Sequence, residues 1–446
     1  MSGSEFSYLQ AQLQSIAQAV LDHARTAGAS ACEVDVSESF GQSVTVRRQA
    51  VETIEYNRDK GVGVTVYLGQ RRGHASTSDF SSAALRSTVE AALSIARFTA
   101  TDEAAGLPEE RLLAKQWNDP DLHHPWHLPV EEAIEIAARC EQAAFDVSPQ
   151  VQNSEGASVS VQQSQFVSAN SLGFMGGFPG SRHYIACSVI AGAGDDMQRD
   201  DWYSTDRNPA RLADPVAIGD YAARRALARL DARKLKTRKC PVIFEAPLAS
   251  GLIGSFTHAV SGGALYRKSS FLPDSLGQQI FPTFMQIAEK AHLPGALASS
   301  PFDDDGVATH DRDLVRDGVL QGYFLSTYTA RKLGMETTGN AGGAHNLIVR
   351  PGPHNLDGLL KEMGTGLLVT ELLGQGVNYV TGDYSRGAAG YWVENGEIAY
   401  PVHEITIAGN LKTMLAGIAG IGNDVVVHGS KQVGSILIDR MTIAGN

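Results

Sequence analysis

The amino-acid sequence predicts an α+β fold: an N-terminal α/β region of two helix–antiparallel meander–helix units, then a β-rich C-terminal domain with a few short helices. Segments with apolar residues at helical spacing flank segments of alternating polarity, and this arrangement occurs twice. After about residue 236, glycine becomes dense and hairpin signals appear. A chain of 446 residues is long enough for two or three domains, each with its own core.

The first unit is assigned to residues 1–120 as an α/β subdomain. Apolar residues between Tyr8 and Ala27 recur at helical spacing, and Gly28 is placed to end this helix. The segments that follow alternate between apolar and polar residues, which is typical of antiparallel strands. Ser81 lies in a polar cluster that can cap a second helix with its own apolar stripe.

The second unit is assigned to residues 121–235 and repeats this pattern. Residues 130–146 are helical in spacing, alternating segments follow, and a closing helix is predicted over about 215–230. In both units a short Ser/Thr/Asp cluster, "STSD" or "YSTD", leads from the last strand into the closing helix. We interpret this as a weak internal duplication, with a Pro-rich connector between the units.

The C-terminal domain is assigned to residues 236–446. Two dipeptides between alternating runs, Asp317-Gly318 and Asn395-Gly396, are the strongest short-range hairpin signals in the chain. They predict antiparallel strand pairs on either side of each turn.

Two apolar stretches of this domain, 246–268 and 353–374, are helix-like, and the end of the chain, 424–445, resembles two closing strands. Gly, Ala and Ser line the helix within 248–263, a composition that suits close approach of another backbone. Oligomerisation is therefore expected, including a possible homodimer when the chain is alone.

Charge and composition exclude several classes of protein. The formal net charge is −12, from 49 acidic and 37 basic residues, and no Lys/Arg block offsets it, which argues against nucleic-acid binding. No apolar run is long enough to span a membrane, and the N-terminus lacks the features of a signal peptide. Four widely spaced cysteines fit a reducing compartment, so a cytoplasmic protein with buried thiols is predicted.

The dipeptide His403-Glu404 raises the question of a zinc site, because His-Glu begins the zinc-protease motif. Ile407 and Ala408 occupy the positions where a second histidine would lie. The surrounding residues alternate and are rich in β-branched side chains, so a strand is predicted, with the two side chains on opposite faces. Spacing and local structure both argue against a metal site.

The acidic run at Asp303 to Asp305 suggests calcium at first sight. An EF-hand loop needs an aspartate five residues before its central glycine, but Pro301 stands there relative to Gly306. A turn with solvated carboxylates is favoured; a divalent-ion role for these aspartates and an acid/base set of them with His310 stay open. No nucleophile elbow, P-loop or dinucleotide-binding glycine motif is present.

Four blocks spread along the chain resemble the PmbA (TldE) branch of the TldD/PmbA metalloprotease family. They are "KGVGVTVYLGQRRGHASTSDFS" (60–81), "SGLIGSFTHAVSGGALYRKSSFL" (250–272), "RKLGMETTGNAGGAHNL" (331–347) and "GDYSRGAAGYWVENGEIAYPVHEITIAGNL" (382–411). The resemblance implies a cytoplasmic heteromeric protease in which a TldD-type subunit pairs with a PmbA-type subunit. Antitoxin degradation, peptide-antibiotic maturation and a link to DNA gyrase are the associated roles.

The same resemblance implies that this chain lacks the metal ligands. TldD-type chains carry H-E-x-x-x-H on a helix and a later cysteine, whereas here Gly254, Ser255 and Ala259 occupy the helix positions. His258 is one residue out of register and is more typical of a hydrogen-bonded core or interface histidine. The last cysteine is Cys240. No cofactor is therefore expected in this chain, and zinc is expected in a TldD-type partner.

The function predicted is that of a PmbA-type subunit that helps to degrade or process small unfolded proteins and peptides. It would complete the cavity of the complex and restrict access to flexible substrates, which strand addition at a sheet edge would hold. The alternatives are a non-enzymatic scaffold or modulator, and an autonomous hydrolase with an unrecognised site. Candidate substrate-groove or interface residues are His258, Asn340, His345, His403 and Glu404.

Overall fold

The computed structural model describes residues 6–445, and its N-terminal half contains the two predicted helix–meander–helix units. The first unit comprises α1 (Gln10–Thr26), β1 (Ala31–Arg47), β2 (Ala50–Leu68), β3 (Arg71–Thr77) and α2 (Ser82–Phe98). The second comprises α3 (Val130–Val147), β4 (Val151–Asn170), the short β5 (Met175–Gly176), β6 (Pro179–Ala191), β7 (Gln198–Asp206) and α4 (Pro215–Ala228).

The two units share one continuous sheet. Its strand order is β3-β2-β1-β4-β6-β7, with β5 paired to β4. The antiparallel pair β1–β4 lies at the centre, where residues 33–46 face residues 157–170. Each unit therefore contributes one meander, and the pairing of β1 with β4, the first strand of each unit, joins the two meanders into one sheet.

All four helices of these units pack on one face of the sheet. Val34 of β1 packs in the cluster formed with α1 and α2, and Val44 of the same strand packs in the cluster formed with α3 and α4. Both positions are even-numbered on a strand whose side chains alternate, so they point to the same face. Val159 and Val167 of β4 repeat this arrangement. The opposite face is left for contact with the C-terminal domain.

Close helix packing in the second unit depends on Gly219 of α4. A Cβ atom there would lie 1.9 Å from the carbonyl oxygen of Cys140 in α3. The two helix backbones therefore meet with no room for a side chain at this position.

The C-terminal domain contains two sheets and short helices. Its elements are β8 (Arg238–Phe244), α5 (Ala246–Ala259), α6 (Gly262–Tyr266), β9 (Ile287–Lys290), β10 (Arg312–Arg316), β11 (Val319–Leu320), α7 (Thr327–Leu333), β12 (Asn346–Val349), α8 (Leu356–Met363), β13 (Gly366–Leu373), β14 (Asp383–Glu394), β15 (Glu397–Asn410), α9 (Leu411–Ala416), β16 (Ile418–Ile421), β17 (Lys431–Gln432) and β18 (Ile436–Ala444).

The larger sheet of this domain closes on itself. Its order is β15-β14-β13-β8-β18-β16, and β15 also pairs with β18, so five strands form a ring. The smaller sheet has the order β11-β10-β9-β12-β17. The predicted hairpin turns are present, with positive φ at Asp317 and Gly318 and at Asn395 and Gly396. The α+β prediction is confirmed.

Two assignments in this domain need correction. The helix-like stretch 353–374 is a helix only over its first part, because Gly364 at φ +70° ends α8 and the rest is the buried strand β13. The segment 424–430, expected to be a closing strand, has no regular structure, and only β18 follows as a long strand. Apolar runs alone do not distinguish a buried strand from a helix or a loop.

Buried ion pairs join the second unit to the C-terminal domain. Arg225 of α4 binds Glu245 through both terminal nitrogens, at 2.8 and 3.2 Å, and its Nε donates to Asp200 Oδ1 at 3.0 Å. Arg229, one turn further, binds Asp200 at 3.3 Å and also pairs with Glu371 of β13. We call these five residues the junction ion cluster. It connects β7 and α4 with the start of α5 and with β13.

The first unit contacts the C-terminal domain through α7. Tyr328 Oη donates to Asp102 Oδ2 at 2.8 Å, and Lys332 Nζ lies 2.7 Å from Asp102 Oδ1. Arg331 donates to three backbone carbonyls within residues 104–107. Helix α7 therefore binds residues 102–107, in the connector that follows α2, to the C-terminal domain.

Glu33 of β1 lies at the same junction, on the sheet face opposite the helices. Tyr67 Oη donates to its carboxylate at 2.8 Å. Burial raises the pKa of Glu33 to about 7; the hydrogen bond from Tyr67 opposes this shift, and the nearby Asp305 carboxylate adds to it.

The four cysteines are all buried and unpaired, as predicted. Within residues 6–445, no helix combines the length and the apolar character needed to cross a bilayer.

Replacing Gly219 by alanine is expected to lower the free energy of unfolding by about 2 kcal/mol or more, because the helix backbones must separate. Gly251 in α5 is the matched control, since nothing lies within 4 Å of the place where its Cβ would be. Gly251→Ala is expected to stabilise the protein by about 0.5–1 kcal/mol through helix propensity. Thermal unfolding of both variants measures the difference, and a neutral Gly219→Ala variant would contradict the close packing.

Arg225→Ala is expected to cost about 3–5 kcal/mol of unfolding free energy, because it leaves Glu245 buried without its cation. Its sequence neighbour Arg224 is the control: it is exposed and pairs with Asp220 at 2.7 Å on the helix surface. Arg224→Ala is expected to cost about 0.5 kcal/mol or less. Urea unfolding of both variants makes the comparison, and equal losses would show that the junction ion cluster has no special weight.

Glu33→Gln is expected to flatten the pH dependence of stability. The folded pKa lies above the ordinary value of 4.5, so the proton favours the folded state. The stabilisation that protonated Glu33 contributes should be complete below pH 4.5 and be lost as the pH rises through about 7. The variant keeps an acceptor for Tyr67 and should gain up to about 2 kcal/mol over wild type above pH 7. Exposed Glu90→Gln is the control, and an unchanged wild-type–variant difference across this range would contradict the assignment.

Candidate functional site

A cavity of about 560 Å³ lies between the second unit and the C-terminal domain. Strand β7 and helix α4 line one side. The start of α5, strand β13, the irregular segment 426–430 and Lys431 of β17 line the other. The junction ion cluster contributes all five of its residues to the lining. The cavity therefore lies on buried charges that hold its two sides together.

Aromatic rings form one wall of the cavity. His428 stacks on Tyr203 with ring centroids 3.9 Å apart and an interplanar angle of 27°, and Trp202 meets His428 edge-on at 5.1 Å. Burial lowers the pKa of His428, and its hydrogen bond with the Tyr203 backbone opposes the shift. The imidazole is therefore neutral at pH 7 and contributes a flat, uncharged surface.

The exposed face of α5 leads from the cavity to the positions where TldD-type chains carry ligands. Pro247 and Ser250 line the cavity, and Gly254 follows one turn later. Lys431, which also lines the cavity, lies across this glycine: its Cε is 3.5 Å from the place of a Gly254 Cβ, and its Nζ is 3.9 Å away. An ammonium group therefore lies beside the first ligand position.

The other two positions are also unsuited to a metal. Ser255 is buried and its hydroxyl donates to the Gly251 carbonyl oxygen at 3.2 Å, while Ala259 is fully buried. Zinc needs imidazole, thiolate or carboxylate donors, and an ammonium beside them would repel the ion. Across residues 6–445, no group of three or more His, Cys, Asp or Glu side chains is arranged to hold a metal. The residues present do not fit zinc.

His258 was expected in the core or at an interface; it lies on the exposed side of α5, so the core alternative is wrong. Its ring packs against Tyr379 with centroids 4.2 Å apart. A role at an interface stays a prediction.

The strand assignment of His403-Glu404 is confirmed, because both residues lie in β15. Their strict alternation is wrong, however. Val402 pairs with Gly390 and Ile405 pairs with Ala388, so the two residues form a bulge opposite a single residue, and Glu404 has φ +52°. Glu404 forms an exposed ion pair with Lys234 at 2.7 Å. Neither side chain is placed for metal chemistry.

Asn340 and His345 are buried within a loop of the C-terminal domain. The Asn340 amide donates to Glu289 Oε1 at 2.7 Å, and the backbone N–H of His345 donates to the same oxygen at 2.9 Å. Arg312 pairs with the other oxygen of Glu289 at 2.6 Å. These contacts hold the loop in place and do not support a substrate groove at this point; an interface role stays a prediction.

The aspartates of the acidic run do not assemble an acid/base set with His310. Asp303 is buried, not solvated, and its carboxylate accepts backbone N–H groups of Asp305, Val307 and Ala341 at 2.9–3.0 Å. Burial and the charge of Asp305 raise its pKa to about 7, and these hydrogen bonds oppose the shift. His310 is exposed. The acidic run is a turn, and the buried carboxylate of Asp303 stabilises it by accepting hydrogen bonds from its backbone.

None of the residues that line the cavity was identified as a site residue from the sequence. They come from segments far apart in the chain, and no local motif marks them. The one available signal was Gly254, because the absence of a side chain there makes room for Lys431.

Known proteins are similar to this chain along nearly its whole length. Family models match the PmbA/TldA metallopeptidase domain 1 over residues 32–96, the central domain over 123–230 and the C-terminal domain over 237–445. The Metalloprotease PmbA homolog of Haemophilus influenzae is 47% identical over 442 residues, 98% of each chain. Metalloprotease PmbA of Escherichia coli O157:H7 is 49% identical over 413 residues, 93% of this chain and 92% of that protein.

Two further relatives complete the comparison. The crystal structure of a putative modulator of DNA gyrase from Bacteroides thetaiotaomicron superposes with a TM-score of 0.93 at 26% identity, covering 98% of this chain and 100% of that one. The Metalloprotease TldD homolog of Haemophilus influenzae is only 27% identical, over 44% of this chain and 43% of its own. The chain belongs to the PmbA branch of the PmbA/TldD metallopeptidase family.

Proposed function

We propose that this chain is the subunit without metal in a heteromeric metalloprotease, and that a TldD-type chain carries the zinc. The observation that supports this most directly is the α5 face, where Gly254, Ser255 and Ala259 offer no donor and Lys431 lies across the first position. Peptide hydrolysis by this family requires a metal-bound water. The chain would then act through binding and shape.

Pairing with a second type of chain is supported by the relatives. Haemophilus influenzae has both a PmbA homolog and a TldD homolog, and this chain is similar to the first along nearly its whole length. Two chains of one family that differ in their ligand positions suit a division of labour. Localisation in the cytoplasm belongs to the same proposal.

Unfolded proteins and peptides are the proposed substrates. Residues Ala50–Lys60 of β2 are exposed throughout, and β3 pairs only with the later residues 62–68. Val51, Ile54 and Tyr56 are exposed along this edge. An open strand edge holds an extended chain through backbone hydrogen bonds, whatever its side chains.

Two alternatives remain less well supported. A non-enzymatic modulator agrees with the name of the Bacteroides thetaiotaomicron protein, a putative modulator of DNA gyrase, although that name belongs to the other protein. An autonomous hydrolase would need an acid/base set, and Asp303 is already bound by three backbone N–H groups.

Mixing the purified chain with a TldD-type partner tests the proposal. We expect a stable complex that cleaves unstructured peptides and contains zinc, whereas the chain alone should contain little zinc and show no cleavage. The matched control is a complex whose partner has lost a ligand histidine, which should assemble without activity. Stoichiometric zinc and cleavage in the isolated chain would contradict the proposal, and failure to form a complex would favour the modulator alternative.

A further inference from the structure

The cavity contains two cationic side chains that no carboxylate neutralises in the part of the chain that the structure describes. Lys431 Nζ has neither an ion pair nor a hydrogen bond among the described side chains and lies along α5 beside Gly254. Arg182 has only neutral partners: Nε donates to Thr205 Oγ1 at 3.2 Å, and Nη2 lies 3.5 Å from the His428 carbonyl oxygen. Both line the cavity.

Each of the other charged groups of the cavity has a partner of opposite charge, although the carboxylates outnumber the guanidinium groups. Within the junction ion cluster, two guanidinium groups are paired with three carboxylates. Arg199 pairs with Glu155 and lies 3.8 Å from Asp201. The charges left without a partner are therefore positive, and they belong to Lys431 and Arg182.

The walls offer apolar surface and a free hydroxyl beside these cations. Trp202 and the stacked pair Tyr203–His428 form the aromatic wall, and Leu248 adds an aliphatic surface. Thr370 also lines the cavity, and its buried hydroxyl has no hydrogen-bond partner. The volume of about 560 Å³ falls within the range of small-ligand sites.

We propose that this cavity binds a carboxylate of a peptide, with Lys431 and Arg182 recognising the charge and the aromatic wall contacting the adjoining residue. This inference rests on the proposed function for its choice of peptides. A carboxylate suits the charges better than a phosphate, because Asp201 and Glu371 also line the cavity and would repel a multiply charged anion. The site would select peptides by their free C-terminus or by an acidic side chain.

Gly254 leaves room for the side chain of Lys431. A Cβ there would only touch the Lys431 stem, at 3.5 Å, whereas a larger side chain would occupy the same space and displace the ammonium. A small residue at position 254 is therefore needed for the Lys431 ammonium to lie in the place where it would bind an anion.

Calorimetric titration of the full chain with short unstructured peptides tests the inference. One peptide without Asp or Glu is used with a free C-terminal carboxylate and as its C-terminal amide, and a third carries the amide and one internal Glu. We expect the free acid to bind about 10-fold to 100-fold more tightly than the amide, with weaker binding at high salt. Tight binding of the third peptide would show that side-chain carboxylates are accepted as well. Equal affinity for all three, or no binding at all, would overturn the inference.

Variants of the two cations give the residue-level test. Lys431→Met and Arg182→Gln should each remove most of the preference for the free acid, and Lys431→Arg should retain much of it because the charge remains. Exposed Lys412→Met is the matched control and should leave the preference unchanged. Thermal unfolding of each variant checks that the fold is intact. A Lys431→Met variant that folds and keeps the full preference would refute the site.

The outcomes separate this inference from the proposed function. Binding by the chain alone needs no partner, so it can succeed when the complex fails to form. In an active complex, the ratio of cleavage rates for free acid and amide should fall toward one with Lys431→Met, while cleavage of the amide persists. An unchanged ratio would refute the carboxylate site and leave the subunit proposal standing.

Discussion

The junction ion cluster is the constraint on which the arrangement of this molecule depends. Arg225 brings Asp200 from the N-terminal sheet and Glu245 from the start of α5 to one guanidinium group. Charges removed from water are tolerated only when their hydrogen-bonding groups are satisfied, and here this needs both parts of the chain at once. The cluster therefore sets how the sheet meets the C-terminal domain and forms the floor of the cavity between them.

The same pairing determines what the cavity can bind. The cluster at the floor has three carboxylates and two guanidinium groups, so the cations without a carboxylate partner belong to the walls, above all Lys431. A neutral His428 stacked on Tyr203 adds no charge to them. In the proposed carboxylate site these cations lie in a cavity that also has aromatic and aliphatic side chains, and partial exclusion of water strengthens the attraction of a cation for an anion.

Features set by local chemistry could be predicted from the sequence, and features set by long-range contact could not. The turn at Asn395-Gly396 needs positive φ at both residues, which these residue types adopt, so the hairpin was predictable. Residues 366–369 are apolar throughout and belong to a strand because β8 pairs beside them in parallel, which no local pattern reveals. The cavity likewise arises from contacts between distant segments.

Where α5 lacks metal ligands, the structure has the side chain of Lys431 instead. Replacing an imidazole by Gly254 removes a donor and also opens the space in which the Lys431 stem lies. A divalent ion and an ammonium cannot share this position at low energetic cost, since like charges a few ångströms apart repel each other in a half-buried site. The cation beside this face of α5 is therefore the ammonium group of Lys431 and not a metal ion. Such a cation attracts an anionic group without activating water, which agrees with the proposed role of a subunit that holds peptide chains while a metal-bearing partner cleaves them.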